Sequence, residues 1–253
     1  MTGKVSIISL GSAGFLVALL SAGTFFLLST PTTAAWDEPE QVRGKRLEMV
    51  TRQIAGRGIR DADVLEAMRS VPRHLFVPRG LQDRAYADSP LPIDAGQTIS
   101  QPYIVALMTE LLELEPKQRI LEIGTGSGYQ AAVLSVLVEE VYSMEIKEIL
   151  HRQATDRLQR LGYTNVRTRH GDGYYGWPEE EPFDGIIITA SVDHVPPPLL
   201  EQLVDGGKIV LPLGHPFSFQ NLVVVTKDGQ DVRLRQVTGV LFVPMTGKAL
   251  EKH

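Results

Sequence analysis

The sequence contains no cysteine in 253 residues. A disulfide framework, a thiolate metal site and a cysteine nucleophile are therefore all excluded. Its six histidines are dispersed, and neither H-E-x-x-H nor a paired-carboxylate pattern occurs. Zinc-peptidase and two-carboxylate hydrolase chemistries thus have no footing in the chain. A basic excess is missing too: 25 Lys and Arg stand against 30 Asp and Glu, for a net charge of -5. The basic residues are scattered, which leaves no electrostatic footprint for nucleic acid. Internal repeats and low-complexity tracts are likewise absent.

What is present suits one large domain, or a main domain with an extension. The 43% hydrophobic content is ample for a core. Residues 5–28 are almost continuously apolar, preceded only by Lys4. Such a run is long enough to cross a bilayer, which takes about 20 residues as a helix. Thr33-Ala34-Ala35 before Trp36 resembles a small-residue cleavage site, so the segment reads as a signal peptide or an anchor. Its length favours an anchor. Residues 1–35 are expected to form this apolar segment and the start of a linker, and residues 36–253 the main domain. Arg43, Lys45 and Arg46 follow the run, and counting basic residues favours a cytoplasmic C-terminal side, with export as the alternative.

The organising stretch is residues 119–129, RILEIGTGSGY. Ile120, Leu121 and Ile123 read as a buried central strand. Gly124, Gly126 and Gly128 follow in alternation, and an apolar helical pattern begins directly after them. A strand, a glycine turn and a helix open a nucleotide-binding βαβ unit. A dinucleotide fingerprint would require glycine at Tyr129, and a phosphate loop would require lysine at Gln130, so both phosphate readings fail. What remains is E-x-G-x-G-x-G with Glu122 in the strand, which resembles the first motif of the class I S-adenosylmethionine-dependent methyltransferases. Their ligand is a sulfonium cation without phosphate, so a carboxylate at the loop is useful.

Around this stretch the chain reads as an α/β fold with an N-terminal helical cap. A helix runs from Gln41 towards the glycines at 56 and 58, and Asp61 is placed to cap a second helix over 63–69. Residues 94–102, DAGQTISQP, form a loop leading into an amphipathic helix, and Ser100 is placed to cap it, with Pro102 in its first turn. Residues 140–145 form an apolar strand ending in Glu145, where a carboxylate accepts hydrogen bonds from ribose hydroxyls. A helix over 149–161 stops at Gly162, and a third strand over 165–169 runs into Gly171-Asp172-Gly173. Asp172 there serves either an adenine amino group or an Asx turn. A strand over 183–190, a short helix over 199–204 and a strand over 208–213 follow. Two further β runs, 221–226 and 232–243, meet at Asp228-Gly229, a hairpin signal. The expectation is a doubly wound, Rossmann-like seven-stranded sheet with the last strand pair antiparallel.

Seven segments together are similar to the protein-L-isoaspartate O-methyltransferase family: VPRHLFV (71–77), PLPIDAGQTISQP (90–102), LEIGTGSGY (121–129), HGDG (170–173), FDGIIITA (183–190), GGKIVLPLG (206–214) and FVPM (242–245). The QTISQP loop is the segment particular to that family. The resemblance implies methyl transfer from S-adenosylmethionine to the α-carboxyl of L-isoaspartyl residues in damaged proteins, whose ester then closes to a succinimide. It implies Ser100 as the active-site serine. It also implies cofactor contacts from Glu122, the loop of Gly124, Gly126, Ser127 and Gly128, Glu145, Asp172 and Gly173, with Thr98 and Thr246 as further matches, and no metal. The apolar N-terminus departs from typical members, and leaves membrane association through residues 5–28 open. Since the methyl donor is made in the cytoplasm, a catalytic domain facing the cytoplasm is expected.

The chemistry fits these residue types. A carboxylate is already ionised near neutral pH, so attack on a methyl sulfonium needs alignment more than a base. After the fourth strand the chain reads Thr-Ala-Ser-Val (189–192), not the Asn/Asp-Pro-Pro-Tyr pattern of enzymes methylating planar nitrogens, which favours an oxygen acceptor. The competing readings are a class I O-methyltransferase with another acceptor and a non-catalytic, membrane-tethered adaptor.

Overall fold

The computed structural model describes residues 38–251. The expectations for residues 5–28 and for a boundary after 35 fall outside them. Among the described residues no helix is long and apolar enough to cross a membrane.

The cap opens with α1 (Glu40–Glu48), which runs on through a widened turn (Met49–Ile54) and a tight one (Ala55–Arg57) to Gly58. Helix α2 (Ala62–Ser70) starts as its sequence requires: the Asp61 carboxylate accepts from Asp63 N at 2.9 Å and Val64 N at 3.0 Å. The segment after Pro72 is pinned by Arg73, which has no exposed surface. Its Nε donates to the Ala85 carbonyl at 2.8 Å, and its guanidinium lies 4.9 Å from the Tyr129 ring centre. Burial lowers its pKa to about 10, still far above neutrality, so the guanidinium stays charged.

Strands β1 (Leu91–Pro92) and β2 (Thr98–Ile99) pair antiparallel around a tight turn at Asp94–Gly96, which turns the expected loop into a small hairpin. Helix α3 (Pro102–Leu112) leads to β3 (Arg119–Ile123), α4 (Tyr129–Ser135), β4 (Glu140–Glu145), α5 (Glu148–Arg160) and β5 (Val166–His170). Then come β6 (Phe183–Ile188), α6 (Pro197–Glu201), β7 (Leu203–Leu213), β8 (Gln220–Asp228) and β9 (Asp231–Val240). The main sheet has the order β5-β4-β3-β6-β7-β8-β9. Its first five strands are parallel, and β8 runs antiparallel to both β7 and β9.

Strand β3 is central, flanked by β4 and β6, and its residues alternate between two cores. Ile120 joins the core under α2, α3 and α4, while Leu121 and Ile123 join the one that holds Leu199 and Tyr174. Burial on both faces is why the parallel strands read as continuous apolar runs. Some boundaries differ from expectation: β6 ends at Ile188 and β9 at Val240, short of 190 and 243. Leu203 and Val204 belong to β7, not to the preceding helix, because the strand bulges through Gly206 and Gly207 before resuming its pairing at Lys208.

Candidate active site

Four strand ends meet at the carboxyl edge of the sheet: Ile123 of β3, Glu145 of β4, His170 of β5 and Ile188 of β6. This edge is where open α/β sheets bind ligands. The turn after β3 folds back onto β4, with Gly124 N and Thr125 N donating to the Met144 carbonyl at 2.8 and 3.1 Å. Gly124 has φ 100° and Gly126 φ 52°, left-handed conformations that glycine adopts freely. A side chain at Gly124 would also strike Thr189 Oγ1, which donates to the Gly124 carbonyl at 2.7 Å.

The turn forms one wall of a cleft lined by Thr98, Gly124, Gly126, Glu145, Gly173 and Thr246 among others. Glu145 is 6% exposed. Its Oε2 accepts from Gly126 N at 2.8 Å and its Oε1 from Lys147 N at 2.9 Å. Each oxygen keeps a lone pair, so the carboxylate is held rigidly at the cleft and can accept more bonds. The cradle therefore fits a nucleoside with ribose hydroxyls: a glycine turn for close approach and a fixed acceptor beneath it.

A second cleft adjoins the first, and both are lined by Thr98, Thr189 and Val243. Ser100, Gln101 and Phe242 line the second cleft. Ser100 also lines the small cavity behind the glycine turn, with Thr125 and Gly126. Sequence reasoning placed Ser100 as the cap of α3, and the structure corrects that. Gln101 occupies the cap position and no side chain bonds there. Among the described residues the Ser100 hydroxyl has no protein partner. Its loop is nonetheless fixed. Ile99 is buried and paired to Leu91, and Gln101 Nε2 donates to Asp88 Oδ1 at 2.6 Å. Asp88 in turn pairs with Arg57, whose guanidinium covers the Tyr103 ring at 3.7 Å.

Four expected cofactor contacts stand elsewhere. Glu122 has no exposed surface and does not line the cleft. Ser143 donates to its Oε2, and Thr125 Oγ1 lies 2.6 Å from Ser143 Oγ, which ties strand β3 to the turn from within. Burial pushes the Glu122 carboxyl up to about 8, with the Glu145 charge adding to the effect, so it is largely neutral at pH 7. Gly128 caps α4 and packs against Leu158 and Ala154 of α5, away from the cleft. Asp172 makes the Asx turn, accepting from Tyr174 N at 3.0 Å, and its other oxygen accepts from Lys248 N at 2.8 Å. It thus clamps the C-terminal segment carrying Thr246 over the cleft, while its neighbour Gly173 provides the lining surface. Ser127 lies behind the turn, its carbonyl accepting from Arg157 at 2.7 Å. Sequence reasoning missed Thr189, although a polar residue closing an apolar strand beside the glycine turn is a readable signal.

A seven-stranded sheet with a glycine turn at its carboxyl edge and a carboxylate closing the neighbouring strand defines a class I methyltransferase. Residues 45–250 match the model of the protein-L-isoaspartate(D-aspartate) O-methyltransferase family, and the chain belongs to that family. It is 64% identical over 214 residues to protein-L-isoaspartate O-methyltransferase 2 of Shewanella sediminis, covering 85% of this chain and 88% of that one. It is 56% identical to protein-L-isoaspartate O-methyltransferase 2 of Pelobacter propionicus, covering 80% and 91%. Among solved structures, a protein-L-isoaspartate O-methyltransferase matches with TM-score 0.72 at 30% identity, over 82% of this chain and 67% of that one. A putative member from Plasmodium falciparum, in complex with S-adenosyl-L-homocysteine, matches with TM-score 0.69 at 25% identity, over 79% and 98%.

Proposed function

We propose that the two adjoining clefts hold methyl donor and acceptor, with Ser100 orienting the acceptor between them. The enzyme is a protein-L-isoaspartate O-methyltransferase, transferring a methyl group from S-adenosylmethionine to the α-carboxyl of L-isoaspartyl residues and so starting repair through a succinimide. When bound, S-adenosylmethionine supplies an electrophilic methyl group on a sulfonium, and the acceptor carboxylate displaces the thioether without any proton transfer.

The chain's own residues need only bind and align. Glu145 accepts the ribose hydroxyls, the Gly124–Gly126 backbone admits the donor closely, and Thr246 and Gly173 close the adenine end. Thr98 and Thr189 stand at the junction of the clefts. The observation that carries the reading is the Ser100 hydroxyl, which has no partner among the described residues and sits on a fixed loop lining the second cleft and the small cavity behind the glycine turn. A serine there donates a hydrogen bond to the attacking carboxylate and need not be a nucleophile. The test is methyl transfer to paired isoaspartyl and aspartyl peptides. Transfer to the isoaspartyl peptide alone supports the reading, and transfer to both or neither contradicts it.

We infer further that residues 1–35 tether a catalytic domain beginning at 36 to the membrane, facing the cytoplasm. The apolar run 5–28 and the basic residues after it support this arrangement. A phosphatase that is active only after export, fused to the C-terminus, stays inactive if the arrangement is right.

A further inference from the structure

The loop between β7 and β8, His215-Pro-Phe-Ser-Phe219, carries two phenylalanines facing solvent: Phe217 is 75% and Phe219 80% exposed. Leu241, just past β9, is 71% exposed. Phe219 and Leu241 both line the mouth of the cleft that contains Ser100. Clustered exposed apolar residues beside a cleft mark an interaction surface, whereas single ones need no explanation.

The loop is held from below. Gln220 is 1% exposed, and its Nε2 donates to the His215 and Ser218 carbonyls at 3.0 and 2.5 Å. Its Oε1 accepts from Phe242 N at 2.9 Å, which ties the loop to the segment bearing Leu241. Ser191 Oγ donates to the Pro216 carbonyl at 3.3 Å. One buried amide and one hydroxyl therefore fix the backbone while the two aromatic side chains project outward.

We propose that Phe217, Phe219 and Leu241 form a rim that grips apolar side chains flanking the isoaspartyl residue in an unfolded stretch of the damaged protein. This rests on the functional reading above. The argument for that occupant is continuity. An acceptor carboxyl at Ser100 belongs to a chain that must leave the cleft, and an extended chain advances about 3.3 Å per residue. Its next one or two residues on one side therefore cross the mouth that Phe219 and Leu241 line. The side chains exposed in a locally unfolded protein include those normally buried, which such a rim covers favourably.

The test uses the full chain and two isoaspartyl hexapeptides, one flanked by Phe and Leu and one by Ser and Gly. The intact enzyme should show a KM at least about tenfold lower for the apolar peptide, the discrimination that burying one large side chain supplies. In Phe217→Ser, Phe219→Ser and their combination the preference should shrink to below about threefold, with the change falling in KM. Thermal melting of each variant establishes that it is folded, and Leu241→Ser provides an independent second variant. Equal KM values for the two peptides in the intact enzyme, or a preference that survives all the variants, overturn the rim alone. Loss of a dimer in sedimentation of the variants assigns the patch to a second copy and overturns it. Loss of flotation with phosphatidylglycerol vesicles assigns it to lipid and does the same. Methylation of neither peptide overturns the isoaspartyl reading, and the rim with it.

Discussion

The hydroxyl of Thr189 donates to the carbonyl of Gly124 at 2.7 Å and occupies the space that a side chain at position 124 would need. The two residues directly follow adjacent strands, so the donor site is shaped where β3 and β6 end. Gly124→Ala is expected to meet both this steric block and the cost of a left-handed φ, about 1 kcal/mol or more. Affinity for S-adenosylmethionine should fall more than about tenfold, read by calorimetry. Thr189→Val should lower stability by about 1 kcal/mol through the lost hydrogen bond. Unchanged affinity in Gly124→Ala would remove the turn from the site.

Glu145 offers a different lever. Glu145→Ala deletes a charge-assisted acceptor worth about 1.5–3 kcal/mol and should lower cofactor affinity at least tenfold. Glu145→Gln keeps one acceptor oxygen and should lose less. Equal affinities for the parent and both variants would mean that the ribose lies elsewhere.

Glu122 contributes a pH dependence to stability. Its folded pKa is pushed up to about 8 by burial, above the roughly 4.3 of an unfolded chain. The unfolded state therefore releases this proton first as pH rises. Stability from this group is complete below about pH 4, declines as pH rises towards 8, and is flat beyond. Glu122→Gln abolishes the titration, so its stability relative to the parent should rise by several kcal/mol between pH 5 and pH 8. A constant difference across that range would show that the carboxyl ionises freely.

Asp172 ties the C-terminal segment down through Lys248 N. In Asp172→Ala the Lys248 amide should exchange with deuterium at least about tenfold faster, because opening that segment no longer breaks a charge-assisted bond. Exchange at the parent rate would place the restraint elsewhere.

Much of this was legible from residues alone, where one pattern had one physical meaning. The buried central strand β3, the glycine turn after it, the Asp61 cap and the Asp228-Gly229 hairpin all stand as read. Glu122 misled because motif position does not reveal depth: a strand residue next to the turn faces the sheet interior as readily as the ligand. Asp172 was read as either a turn former or a ligand contact, and only the arrival of Lys248 from 76 positions away shows a third use. Ser100 looked like a cap because Ser-x-Pro before a helix usually is one, yet the hairpin of β1 and β2 starts the helix one residue later. The rim at Phe217 and Phe219 carried no periodic signal, since loops obey none.

The most direct measurement is the steady-state kinetics of Ser100→Ala on an isoaspartyl peptide, alongside its melting temperature and cofactor affinity. Because Ser100 makes no cap bond, melting should match the parent within about 0.5 kcal/mol, and not show the 0.5–2 kcal/mol loss of a removed cap. Loss of a hydrogen bond that aligns the attacking carboxylate should cost about 2–4 kcal/mol in the transition state. The expected result is a folded enzyme that binds S-adenosylmethionine normally and turns over at least about thirtyfold more slowly, with part of the rate restored in Ser100→Thr. A folded Ser100→Ala enzyme with near-parent turnover would contradict the assignment of Ser100 to the transfer step.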